Sequence, residues 1–215
     1  MSNKLKPDGT PGRTARRKQK ATILYLAQLA ILTAIIMVLH FSGAAIPAFH
    51  TKISLTLIPI VLGSMILGPT AGGILGLIYG LTVYISLGVL HMDLFTGFLF
   101  DHNPIMTFLI CTVKTTAAGV VGGLVYRALR KKSILPAVFA TAALVPTVNT
   151  GIFVLGCFTI YGTINQYIQY ILGADYSAVY FILILCAGAN YLLEMAVNLI
   201  LAPALERIIN VTAKK

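Results

Sequence analysis

The feature that most constrains this chain is the recurrence of apolar runs about twenty residues long, separated by short polar turns. They occupy residues 22–41, 70–90, 104–129, 136–161 and 177–205. A helix of that length covers the ~30 Å hydrocarbon core of a bilayer. Isolated strands would leave backbone polar groups unpaired in lipid, whereas a helix pairs its own. The expected fold is therefore all-α and polytopic. A sixth apolar stretch, residues 53–67, is short and contains Pro59, so it should be kinked or sunk into the bundle. With it the count is six transmembrane helices, which puts both termini on one side.

Charge sets the orientation. Of sixteen Lys and Arg, seven lie between Lys4 and Lys20, four between Arg127 and Lys132, and three from Arg207 onward. Basic residues gathered at alternate segment ends mark the cytoplasmic side, so both termini are expected there, in the cell membrane. The net charge of +10 then describes a basic membrane face and not a nucleic-acid surface. Residues 1–20, with Pro7, Gly9, Pro11 and Gly12, read as a disordered cytoplasmic tail. Residues 21–209 form the membrane domain and 210–215 a second tail. The basic leader and Ala44, Ala45 and Ala48 imitate a cleavable signal. The first apolar run exceeds the usual 7–15 residues, however, and further spans follow, so an uncleaved first helix is expected.

Within the last span, Asn190, Glu194 and Asn198 recur every four residues and share one helix face. Polar groups in hydrocarbon are costly unless they face one another or a wet cavity. Lys114 lies ten residues into the fourth span, and Asn149 and Thr150 follow Pro146 in the fifth. Counted from the span ends, Lys114, Asn149 and Asn190 fall at similar depth. Two readings stand: a ligand pocket with Lys114, Asn149, Thr150, Asn190 and Glu194 in its walls, or a structural Lys114–Glu194 ion pair with bonded amides. Asn198 lies deeper and reads as a helix-pinning residue.

Other candidates are weaker. His91, Asp93, Asp101 and His102 are of metal-ligating type but lack ligand spacing, so solvated loop polarity is the expectation and no metal is assigned. Cys111, Cys157 and Cys186 all lie in apolar runs and read as packing. No serine-hydrolase elbow or phosphate-cradling loop is present. The chain is therefore not expected to be an enzyme or to carry a cofactor, and any ATP-driven step must borrow its ATPase. A stand-alone proton-coupled carrier or channel titrating Glu194 is the alternative.

Several motifs occur in a telling order. Ala30 and Ala34 stand four apart in the first span, and Lys52-Ile-Ser-Leu-Thr-Leu-Ile-Pro59 enters the second. Gly68-Pro69 is followed by Gly72-Gly73, Gly76 and Gly80. Asn103-Pro104-Ile-Met-Thr-Phe108 opens the fourth span, and Gly122-Gly123-Leu-Val-Tyr126-Arg127 closes it. Val148-Asn149-Thr150-Gly151 lies in the fifth. In this order the chain resembles the substrate-binding S components of energy-coupling factor (ECF) vitamin transporters over about residues 22–209.

The resemblance implies a six-helix protein that captures a vitamin or similar small molecule near the outer face. It further implies docking, through the Ala30/Ala34 strip, on a membrane coupling subunit that carries two cytoplasmic ATPases. The outer loop 43–52 would gate the pocket and supply His50 and Lys52 as further contacts. Related sequences often have Pro-Arg where this chain has Val113-Lys114. A lysine keeps the charge but offers a point donor instead of a planar fork. Lys114 is thus the expected counter-charge for a carboxylate, as in a pantothenate-like ligand.

Overall fold

The computed structural model describes residues 13–42, 46–48, 51–53, 55–173, 175 and 177–213. Helix α1 (Arg13–Phe41) precedes a short hairpin of β1 (Ile46–Ala48) and β2 (Thr51–Ile53), then α2 (Leu57–Ile66) and α3 (Pro69–Val83). Helices α4 (Leu94–His102), α5 (Pro104–Leu129), α6 (Ile134–Thr159), α7 (Tyr161–Gln166), α8 (Ala178–Tyr180) and α9 (Ala189–Ala213) complete the described chain. Three wide, π-helical stretches extend these elements: Tyr84–Val89 after α3, Tyr167–Leu172 after α7, and Phe181–Gly188 joining α8 to α9.

Five helical segments are long and apolar enough to cross a membrane, from Arg16–Phe41 to the composite Ala178–Val211. Helix α2 has ten residues, ~15 Å, which is half a bilayer core. It survives there because α3, α5, α6 and α9 surround it, leaving Leu57, Ile60, Val61 and Met65 buried.

Some boundaries differ from those expected. Helix α1 begins at Arg13, so the last residues assigned to a disordered tail are helical, with 16–20 exposed. A run of Arg, Lys, Gln and Ala is a good helix former and simply prolongs the span. Lys52 and Ile53 belong to β2, not to the helix entering at Pro59. Residues 161–172 are helical, and Tyr167 is buried against Phe95 and Phe181. Tyr170, three residues further on, is exposed.

The rigid centre of the bundle is the α3–α5 contact. Gly72, Gly76 and Gly80 on α3 meet the backbone of Gly119, Thr115 and Cys111 on antiparallel α5. With no Cβ between them, the helices approach closely enough for Thr115 Oγ1 to donate to the Gly76 carbonyl at 2.6 Å. At the turn before α3, Gly68 adopts φ 99°, a region open chiefly to glycine, and Pro69 starts the helix. This seam fixes the rotation of α5, and with it the direction of Lys114. A Cβ added at Gly119 would collide with the Gly72 carbonyl, which cannot move without breaking α3. Gly119→Val should therefore cost at least about 1–3 kcal/mol by overpacking. In a detergent melt it should unfold well below wild type, whereas Gly151→Ala, whose added Cβ meets nothing, should not.

Candidate functional site

Two core clusters flank a cavity. One joins Leu32, Ile36, Leu57, Leu75, Tyr79 and Cys111 across α1, α2, α3 and α5. The other joins Phe95, Ile110, Tyr167, Phe181 and Cys186 around α4, α7 and the Phe181–Gly188 stretch. Between them lies a partly open cavity to which both clusters contribute lining side chains.

Lys114, Asn149, Thr150, Asn190 and Glu194 all line it. They come from α5, α6 and α9, so three long helices deliver five polar residues to one space. Lys114 is ten residues from Pro104 and thirteen from Arg127, hence ~15 Å and ~20 Å along the axis. The cavity thus occupies the half of the bundle remote from the basic turn. The Lys114 ammonium sits 4.8 Å from the centre of the Phe153 ring, a cation–π contact from the α6 wall. Among the described residues the ion pair within 4 Å is His91–Asp101, so no direct Lys114–Glu194 bridge is part of this structure.

The α9 stripe is ordered from within. Asn190 Nδ2 donates to Glu194 Oε1 at 3.4 Å, and Asn198 Nδ2 donates to the Glu194 carbonyl at 2.8 Å. Glu194 is only 4% exposed. Asn198 is buried and does not line the cavity; its Nδ2 bonds within its own helix. Asn149 Oδ1 and Asn190 Oδ1 are buried acceptors that find no hydrogen-bond partner among the described residues. A buried amide oxygen left unpaired costs about 1–3 kcal/mol, which a bound molecule or water can recover.

Of the outer-loop candidates, His50 and residues 43–45 lie outside the described residues. Lys52 is in β2, paired in register with Pro47, and β2 packs against α9. That places the hairpin beside the helix carrying Asn190 and Glu194. Ala30 and Ala34 are exposed on α1, while Leu32 and Ile36 turn inward. Among the five spans α1 is the least covered, with 11% of its most apolar stretch buried against 33–56% for the others.

The segment 91–103, whose hydrophobic middle is too short to span, folds as α4 and closes one side of the cavity with Asp93, Phe95, Thr96 and Leu99. Sequence reasoning missed these four as wall residues. The available signal was Asp93-Leu-Phe-Thr96, an N-cap pattern that makes the loop a helix. Asp93 Oδ2 accepts from Thr96 N at 2.9 Å and Thr96 Oγ1 at 2.8 Å. The other polar residues of the segment have different duties. His91 Nε2 meets Asp101 at 3.0 Å across α4, and the Asp101 carboxylate holds the imidazole pKa above its ordinary 6.5. His102 bonds the Phe98 carbonyl and stacks on the Phe98 ring. Asn103 ties the start of α5 to Thr163 of α7. Among the described residues no three of His, Cys, Asp or Glu group as metal ligands.

A bundle of membrane-length helices around a cavity with five polar residues in its wall defines a membrane protein of the small-molecule-handling kind. The family model for the ECF transporter, substrate-specific component, matches residues 24–206, and the chain belongs to that family. It is accordingly a multi-pass membrane protein and a transport subunit that works with an ECF module. A search of curated proteins finds no match.

Proposed function

We propose that the chain captures a small water-soluble vitamin near the outer face of the cell membrane and delivers it through a shared coupling subunit driven by two cytoplasmic ATPases. The observation that carries this reading is the convergence of Lys114, Asn149, Thr150, Asn190 and Glu194 on one cavity. Lys114 is the counter-charge for a carboxylate, as a pantothenate-like ligand would carry; the two asparagines, Thr150 and Glu194 orient the remainder. His50 and Lys52 are further ligand contacts in this reading, and β2, which carries Lys52, packs against α9. Ala30 and Ala34 form the docking strip, which the exposed outer face of α1 leaves accessible. Both termini are cytoplasmic, and α2 serves as the sixth, shortened membrane element.

Proteoliposomes test this directly. Uptake of radiolabelled pantothenate, or of another vitamin that stabilises the purified protein, should require co-reconstituted coupling subunit, ATPases and lumenal ATP. Uptake by the chain alone, driven by a proton gradient and lost in Glu194→Gln, would replace this reading with that of a proton-coupled carrier.

A further inference from the structure

The polar groups on the cavity wall are not of one kind. Lys114 is a cation that calls for an anion. Other polar groups of the described wall tend the other way: Asp93 is a carboxylate, Asn190 Oδ1 is a buried acceptor left unpaired while Nδ2 bonds Glu194, and Asn149 Oδ1 is an unpaired acceptor on a side chain 7% exposed. A molecule that was only an anion would leave those acceptors unpaired and bring its charge toward Asp93 and Glu194, which is penalised in a low-dielectric space.

Asp93 is the informative member. Its structural task is to cap α4 through Oδ2, and a neutral Asn or Ser does that about as well. A full charge on the cavity wall therefore exceeds what the cap requires. Its other oxygen, Oδ1, has no hydrogen bond among the described residues.

We infer that Asp93 is a specificity-determining residue, and that the cavity takes an anion whose opposite end is rich in N–H or O–H donors: the anion on Lys114, the donor end on Asp93 and the asparagine acceptors. This rests on the capture reading above and narrows it to a substrate class. It predicts rejection of two simpler classes, carboxylates without donors at the far end and donor-bearing molecules without an anion.

The test is a thermal-shift and titration panel on the detergent-purified full chain. Pantothenate and biotin carry a carboxylate and a donor end; lipoate and nicotinate carry a carboxylate without such an end; panthenol and thiamine lack the anion. A compound that binds only the native state raises its melting temperature. Stabilisation should be confined to the first pair. Asp93→Asn, which keeps the cap, should melt like wild type unliganded and bind the stabilising compound about tenfold more weakly, the loss of one charge-assisted bond. Stabilisation by lipoate or nicotinate, or unchanged affinity in Asp93→Asn, overturns the substrate class and leaves capture standing. Stabilisation by panthenol or thiamine overturns the class likewise, and a wild type that no water-soluble vitamin stabilises overturns the capture reading itself.

Discussion

Placing leucine at both Ala30 and Ala34 will abolish ATP-driven uptake while leaving substrate binding unchanged. Both alanines lie on the exposed face of α1, opposite the buried Leu32 and Ile36, so larger side chains there meet nothing inside the chain. Leucine is also a good helix former, and the substitution leaves α1 apolar. What it removes is close approach. Helices in lipid associate through small residues at four-residue spacing because the apolar environment offers no drive of its own, so packing contacts supply the energy. Two isobutyl groups hold a partner helix away along the whole strip. The measurements are paired: recovery of the coupling subunits with affinity-tagged chain, which should fall to background, and the thermal shift given by the vitamin that stabilises wild type, which should be retained. Recovery of the coupling subunits at wild-type yield would remove the docking assignment. Loss of both readouts would instead mark α1 as part of the fold.

The reasons some of this architecture was legible in the sequence are physical. A bilayer-spanning helix must be apolar over a length set by the membrane, so its signature is long and survives local noise. The glycines at 72, 76 and 80 were equally readable, since three glycines at one spacing in a helix serve close approach, and they meet α5 backbone. The five polar residues that share the cavity were found because burial in hydrocarbon makes each of them an anomaly needing a partner. Segment 91–103 lacked that signal. Outside the hydrocarbon a polar residue is no anomaly, so Asp93 and Thr96 looked like ordinary loop residues, and only the fold of α4 back onto α5 brings them to the cavity wall. Tyr167 carries no clear signal for a different reason: tyrosine suits an interface and a core equally, and only its ring contacts with Phe95, Phe98 and Phe181 decide between them. The three π-helical stretches left no recognisable trace, because a widened turn depends on packing around it and not on residue type.

The second large effect concerns Lys114. Its removal should weaken an anionic substrate by roughly thirtyfold or more, because truncating one partner of a buried, hydrogen-bonded charge pair costs about 2–5 kcal/mol. The size follows from where the residue sits. Its backbone is held by the α3–α5 seam one residue before Thr115, and its ammonium is presented to the cavity over the Phe153 ring without an ion pair to Glu194. An incoming carboxylate therefore meets a cation already desolvated on one side, and no existing salt bridge has to be broken first. Lys114→Ala also deletes the stem that packs beside Phe153, so Lys114→Met is the better control, keeping the apolar length and removing only the charge. Both variants should lose affinity to a similar degree if charge is what matters. Lys114→Arg should recover part of it, limited by a planar fork in a place shaped for a point donor. Titration calorimetry with the anionic compound that wild type binds most tightly decides the matter. Unchanged affinity in Lys114→Ala would mean that the lysine serves the fold and that the anion is held elsewhere in the cavity. Weakened binding in Lys114→Ala but not in Lys114→Met would assign its contribution to packing on Phe153 and withdraw the role of counter-charge.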